Sequence, residues 1–159
     1  MLIATRSGKI NISKEKDTRL VAERLSKLIN LGDFILLTGN LGVGKTTFTK
    51  YIINSLQRIN RQAISEVPSP TFNITNEYQI KKILIKHYDL YRIKNEKELN
   101  NLGIQENLKK QITLVEWPEM VKKLKIKNII SLIFKYNKNY TERYPVSYTH
   151  LRAHETSAD

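Results

Sequence analysis

The stretch FILLTGNLGVGKTT, Phe34 to Thr47, decides how this chain is read. It opens on an apolar run closed by Thr38, the composition of a strand covered on both faces. Gly39 to Thr46 then follow the spacing G-x-x-x-x-G-K-[ST]. Each position has its own physical reason. Glycines reach backbone angles that a side chain forbids, so successive N–H groups of Gly39, Asn40, Leu41, Gly42, Val43 and Gly44 turn inward and cradle oxygens. A helix beginning at the end of such a loop, through Thr46 and Thr47, adds unpaired N–H groups that favour anions. Lys45 supplies a point charge for the β- and γ-phosphates, and the Thr46 hydroxyl is a magnesium ligand. The string therefore predicts a site for a nucleotide triphosphate with Mg2+.

Working outward, residues 47–59 have the length of a helix. Upstream, residues 2–5 read as a short strand, followed by a turn at Gly8 and Lys9. A helix capped by Ser13 or Asp17 then carries Leu20, Val21, Leu25, Leu28 and Ile29 toward a core and stops at Asn30 and Gly32. Downstream, Pro68 and Pro70 mark residues 61–70 as a loop. Residues 72–80 and 83–87, joined by Lys81 and Lys82, predict an antiparallel hairpin. Residues 96–102 and 105–110 read as helical pieces broken at Gly103. Residues 112–115 read as a strand ending at Glu116, 118–125 as a short helix with Pro118 in its first turn, and 129–136 as a last strand. This alternation predicts an α/β protein: a P-loop NTPase-like mixed sheet flanked by helices, with an antiparallel hairpin.

A phosphate loop alone binds without hydrolysing well, so acids are needed to hold the metal or orient water. Asp89 and Glu116 both stand at the ends of expected strands, where ligands bind in such sheets. The sequence leaves open which acid does which. Thr71, in the SPTF segment, is the candidate for a switch threonine that senses the γ-phosphate. Trp117 follows Glu116 as a rim aromatic or a lid. His87 shares a strand face with Asp89 and reads as a core histidine.

The chain has 159 residues and a net charge of +12, with no cysteine. That excludes disulfide and thiolate chemistry. No apolar stretch is long enough to span a membrane or to serve as a secretory signal, so a cytoplasmic protein is expected. The lysines are scattered along the chain (Lys81, Lys82 and Lys86; Lys109 and Lys110; Lys122, Lys123, Lys125 and Lys127). Whether they form a surface that attracts nucleic acid depends on the fold. Residues 1–144 are expected to form one P-loop ATPase domain. Residues 145–159 read as a non-native-looking or disordered tail: VSYTHLRAHET, Val146 to Thr156, resembles the in-frame translation of a DNA-sequencing adapter. His150 and His154 are not read as a metal pair.

Several blocks in order resemble one family: DTRLVAERL, GDFILLTGNLGVGKTTFTK, VPSPTFNITNEY, HYDLYRIKNEKELNNLGIQE and ITLVEWPE, between Asp17 and Glu119. The combination is similar to the TsaE family, formerly YjeE, whose usual loop reads GDLGAGKT; here Asn40 and Val43 depart from it without removing a phosphate ligand. The resemblance implies an ATP hydrolase with ATP and Mg2+ as cofactors. Lys45 and Thr46 would take the phosphates and the metal, and Glu116 would be a metal-associated acid. Asp89 would organise metal or water, Thr71 would be the switch threonine, and Thr18 would lie near the adenine. It also implies activation by TsaD and TsaB, the subunits that threonylcarbamoylate adenosine 37 of tRNA. Contact with tRNA would run through that complex. The competing expectations are a P-loop small-molecule kinase and a nucleotide-gated assembly protein with little hydrolysis. A GTPase is disfavoured, because Asn137 to Tyr140 lacks the acid of a guanine-reading block.

Overall fold

A computed structural model describes residues 10–139 and 142–149, the last seven by their backbone alone. The strand expected over residues 2–5, the turn at Gly8 and Lys9, and both tail histidines lie outside the described residues. The elements run α1 (Glu15–Ser26), β1 (Phe34–Thr38), α2 (Lys45–Ile59), β2 (Thr75–Ile80), β3 (Ile83–Asp89), α3 (Glu96–Asn101), β4 (Gln111–Glu116), β5 (Ile129–Tyr136) and β6 (Arg143–Thr149). Short 3-10 turns cover Leu108–Lys110 and Pro118–Lys123. The strands form one mixed sheet in the order β2-β3-β4-β1-β5-β6.

β1 lies in the middle because its side chains are apolar on both faces. Ile35 and Leu37 join the core under α1 and α2, with Phe48, Ile52, Leu114 and Leu132. Phe34 and Leu36 join the opposite core, with Tyr88, Leu99, Ile104 and Val115. Both of its neighbours, β4 and β5, run parallel to it. Parallel pairing brings the carboxyl ends of β1, β3 and β4 to one edge of the sheet, and the phosphate loop leaves β1 there. The expected hairpin is β2-β3, paired antiparallel from Thr75↔Tyr88 to Ile80↔Ile83.

Three local expectations change. α1 has Lys14 at its N-cap with no side-chain cap bond, so neither Ser13 nor Asp17 caps it. Its buried stripe runs through Thr18, Ala22, Leu25 and Ser26, while Leu20 and Leu28 are 45% and 44% exposed. Small and hydroxyl side chains let α1 approach α2 closely, and Ser26 donates to the carbonyls of Ala22 and Ile52. The strand expected from Phe72 begins only at Thr75, because residues 71–74 form a turn in which the Ile74 amide donates to the Pro70 carbonyl at 2.6 Å. Of residues 105–110 only Leu108–Lys110 are helical, Asn107 being left-handed at φ 55°, and the segment after Pro118 is 3-10 rather than α.

β6, antiparallel to β5, takes up Pro145–Thr149, residues the sequence reading assigns to the tail. Residues 150–159 lie outside the described residues. Among the described residues, no helix is long and apolar enough to cross a membrane.

Candidate phosphate and metal site

At the carboxyl edge, a hollow of about 210 Å³ is lined by the phosphate loop and α2 on one side and by Ser69, Thr71, Asp89, Glu116 and Trp117 on the other. The loop is tight. A Cβ on Gly39 would stand 2.8 Å from the Phe134 carbonyl oxygen and 2.8 Å from Val43, so only glycine fits. Gly44 is the N-cap of α2 at φ 109°, a left-handed angle that glycine tolerates. It brings no side chain to occupy the first N–H groups of the helix, and the first turn holds no acid. Gly44, Lys45, Thr46 and Thr47 line the hollow, and the N–H groups and positive macrodipole end of a helix start favour an anion there.

Lys45 opens α2 and is 4% exposed. Its ammonium donates to the carbonyls of Gly39 and, at 3.1 Å, Asn40, and it stands 3.9 Å from the centroid of the Trp117 ring. Burial pushes its pKa below that of an ordinary lysine, opposed by Glu116, Asp89 and Glu119. Trp117 adopts φ 56°, an angle strained for a bulky residue, and also packs on Tyr91 with ring centroids 4.8 Å apart.

The two acids stand side by side, since Asp89 pairs with Glu116 across β3 and β4. They are held differently. Thr46 donates its hydroxyl to both Glu116 oxygens, at 3.0 and 2.9 Å. His87 Nε2 lies 2.8 Å from Glu116 Oε1. Asp89 accepts from the Thr71 hydroxyl at 3.1 Å and from the Tyr91 amide at 3.0 Å. Thr71 Oγ1 in turn lies 2.6 Å from Ser69 Oγ. Both carboxylates are almost fully buried. The donor set suits a hard cation: Mg2+ is ordinarily held by one or two carboxylates together with substrate phosphates, and here two carboxylates and one hydroxyl sit beside a cradle of amides.

The structure thus brings together the phosphate loop, Lys45, Thr46, Thr71, Asp89, Glu116 and Trp117. Thr18 is not in this hollow. It lines a second one of about 220 Å³, with Ile12, Glu15, Val43, Gly44 and Thr47, across the phosphate loop. Its buried hydroxyl donates to the Ile12 carbonyl at 3.0 Å. One partner escapes the sequence reading. His87 is a core residue, as expected, yet it also touches Glu116. The signal was its spacing of two from Asp89, which puts it on the face that carries the carboxylates.

Comparison with known proteins gives this geometry its context. The family model for the threonylcarbamoyl adenosine biosynthesis protein TsaE matches residues 12–144. The chain belongs to the TsaE family. It is 38% identical to the tRNA threonylcarbamoyladenosine biosynthesis protein TsaE of Rickettsia felis, over 71% of this chain and 64% of that protein, so the match spans just under two thirds of that relative's length. The TsaE of Rickettsia prowazekii is 36% identical over 78% of this chain and 83% of its own. That of Bacillus subtilis is 34% identical over 76% and 72%. The crystal structure of YdiB from Bacillus subtilis superposes with a TM-score of 0.70 at 23% identity, covering 91% of this chain and 87% of YdiB, which supports the same fold.

Proposed function

We propose that this TsaE protein is a magnesium-dependent ATPase whose turnover supports a TsaD–TsaB complex in the threonylcarbamoylation of tRNA adenosine 37. The observation that carries the reading is the Thr46–Glu116 pair, set beside Lys45 and one strand away from Asp89. Amides of residues 39–47 and the Lys45 ammonium would bind the phosphate oxygens. Thr46 and Glu116 would hold the metal, which neutralises charge on the β- and γ-phosphates. Asp89, tied to Thr71, is then the acid left to orient a water toward the γ-phosphorus. Attack forms the new P–O bond as the β–γ bridging bond breaks, and ADP and phosphate leave.

The rim of the hollow favours activation by a partner over a self-sufficient enzyme. Phe72 is 81% exposed and Leu41 78%, and Arg92 lies over the Phe72 ring at 4.7 Å. A partner that covers this rim would find apolar area to bury at Leu41 and Phe72.

The reading is tested by phosphate release with and without TsaD and TsaB. Turnover is expected to rise with both partners and to vanish in Lys45→Ala and Glu116→Gln. Normal turnover in both variants within the assembled complex would defeat it. Phosphoryl transfer to a nucleoside or sugar in preference to water would replace it with a kinase.

A further inference from the structure

The opposite edge of the sheet carries a chemistry that the nucleotide site does not use. β3, β4, β1 and β5 are parallel neighbours, so the segments that lead into them share the amino edge. The β2-β3 turn is Lys81 and Lys82, adjoining the Ile80↔Ile83 pair. Lys109 and Lys110 directly precede Gln111, the first residue of β4. Lys125 and Lys127 precede Ile129, the first residue of β5. The backbone ties these segments together: the Gly32 amide donates to the Gln111 carbonyl and the Phe34 amide to the Asn128 carbonyl. Lysines scattered along the sequence thus meet on one edge.

All six are exposed, and among the described residues none is in an ion pair. The acids nearby are few. Asp33 is buried and accepts from the Asn30 amide, and Glu106 is exposed ahead of Leu108. From β3 to β5 the row crosses three strand spacings, about 14 Å. Such a row faces several phosphates of a duplex, which in DNA carries one charge per about 1.7 Å of axis.

We propose that this lysine edge binds the phosphate backbone of tRNA directly, on the side of the sheet away from the nucleotide hollow. Charge complementarity calls for a polyanion. The choice of tRNA among polyanions rests on the chain's membership of a tRNA-modifying family. Exposed lysines are point charges that position a backbone without reading sequence, so recognition is of the shape and charge of the RNA.

The test is binding of a fluorescent tRNA transcript to the full chain, read by anisotropy across a salt series without ATP. A chain that takes up no ATP therefore still tests the inference. The triple variant Lys82→Glu/Lys110→Glu/Lys127→Glu is expected to bind at least tenfold more weakly. The slope of log affinity against log salt should flatten by about 2, at roughly 0.7–0.9 for each phosphate that the variant leaves unneutralised. The corresponding alanine variant should bind about threefold or more weakly and serves if the glutamate variant melts early. A control, Lys16→Glu/Lys94→Glu/Lys97→Glu, changes the net charge equally from exposed lysines away from this edge and should weaken binding less than threefold. The inference is overturned if the parent chain ignores tRNA, if the edge variants bind as the parent does, or if the control is weakened as much as they are. It is also overturned if anionic lipid vesicles or polyglutamate bind the edge more tightly than tRNA.

Discussion

At the carboxyl edge of the sheet, Lys45, Asp89 and Glu116 are nearly out of water and each charged group has partners within hydrogen-bond reach. At the amino edge, Lys82, Lys110 and Lys127 stand in solvent and, among the described residues, take part in no ion pair. One sheet thus presents cations in two regimes. Where charges are buried and held by neighbours, a single substitution leaves an uncompensated group and costs much. Where they are exposed and screened, each contributes little and only their number matters. Function at the first edge should therefore break residue by residue, and at the second only by groups.

The largest effect should follow Lys45→Ala. Under the proposed function, removing the ammonium would take away its charge-assisted bonds to phosphate while leaving the amide cradle. A loss of about 3 kcal/mol, over a hundredfold in ATP affinity, is expected. Calorimetric titration with ATP and Mg2+ measures it. The same titration on the triple glutamate variant of the amino edge should match the parent within about twofold, and a large loss there would mean that the two edges are not independent.

Glu116→Gln sharpens the contrast within the carboxyl edge. Glutamine still accepts from Thr46 but no longer carries charge. ATP binding should stay within about tenfold while phosphate release falls a hundredfold or more, since the charge is needed where the transition state forms. Asp89→Asn should lose turnover with even less effect on binding, because its partners are Thr71 and the Tyr91 amide rather than the phosphate-loop threonine. If binding and turnover fall together in both variants, the division of labour between the acids is wrong.

His87 offers a subtler break. It is fully buried, its Nε2 faces Glu116, and its Nδ1 has no partner among the described residues. A hydrogen on Nε2 satisfies this contact by donating to the carboxylate. In His87→Leu the carboxylate loses one of its anchors, at about 1–3 kcal/mol. The Mg2+ concentration for half-maximal turnover should rise about tenfold. His87→Gln, which keeps an N–H donor, should recover most of it. Equal behaviour of the two variants would make His87 a packing residue only.

Much of this was legible in the sequence, for physical reasons that also explain what was not. Phe34–Thr38, the phosphate loop and α2 were readable because strand, loop and helix each carry local signals that agree. Asp89 and Glu116 were readable as acids at strand ends, yet their side-by-side placement needed the β3-β4 register, a long-range fact. The Thr46–Glu116 bond joins residues far apart in the chain for the same reason. The lysine edge was illegible because its members come from separate loops, and only the strand order makes them neighbours. β6 escapes the sequence reading although Tyr144, Val146 and Tyr148 alternate with polar residues and Pro145, because Pro145 interrupts the run and Val146–Thr149 belong to the adapter-like stretch. The expected stripe of α1 holds at Val21, Leu25 and Ile29 and fails at Leu20 and Leu28, because counting apolar residues passes over Thr18, Ala22 and Ser26, whose small size lets the helix approach α2.

That last error carries the smallest expected effect. If the stripe through Thr18, Ala22 and Leu25 is the buried one, Leu20→Gln exchanges an exposed side chain for a good helix former and should change stability by less than about 0.5 kcal/mol. Leu25→Ala on the buried stripe should cost about 2–5 kcal/mol. Urea unfolding of the two variants separates the cases. A costly Leu20→Gln would mean that α1 is rotated about its axis relative to α2. The bond from Thr18 to the Ile12 carbonyl would then break, and the second hollow beside Gly44 and Thr47, which this bond helps to wall, would open with it. The expected place of Thr18 near the adenine would go too, whereas the site at Lys45, Asp89 and Glu116, built without α1, would stand.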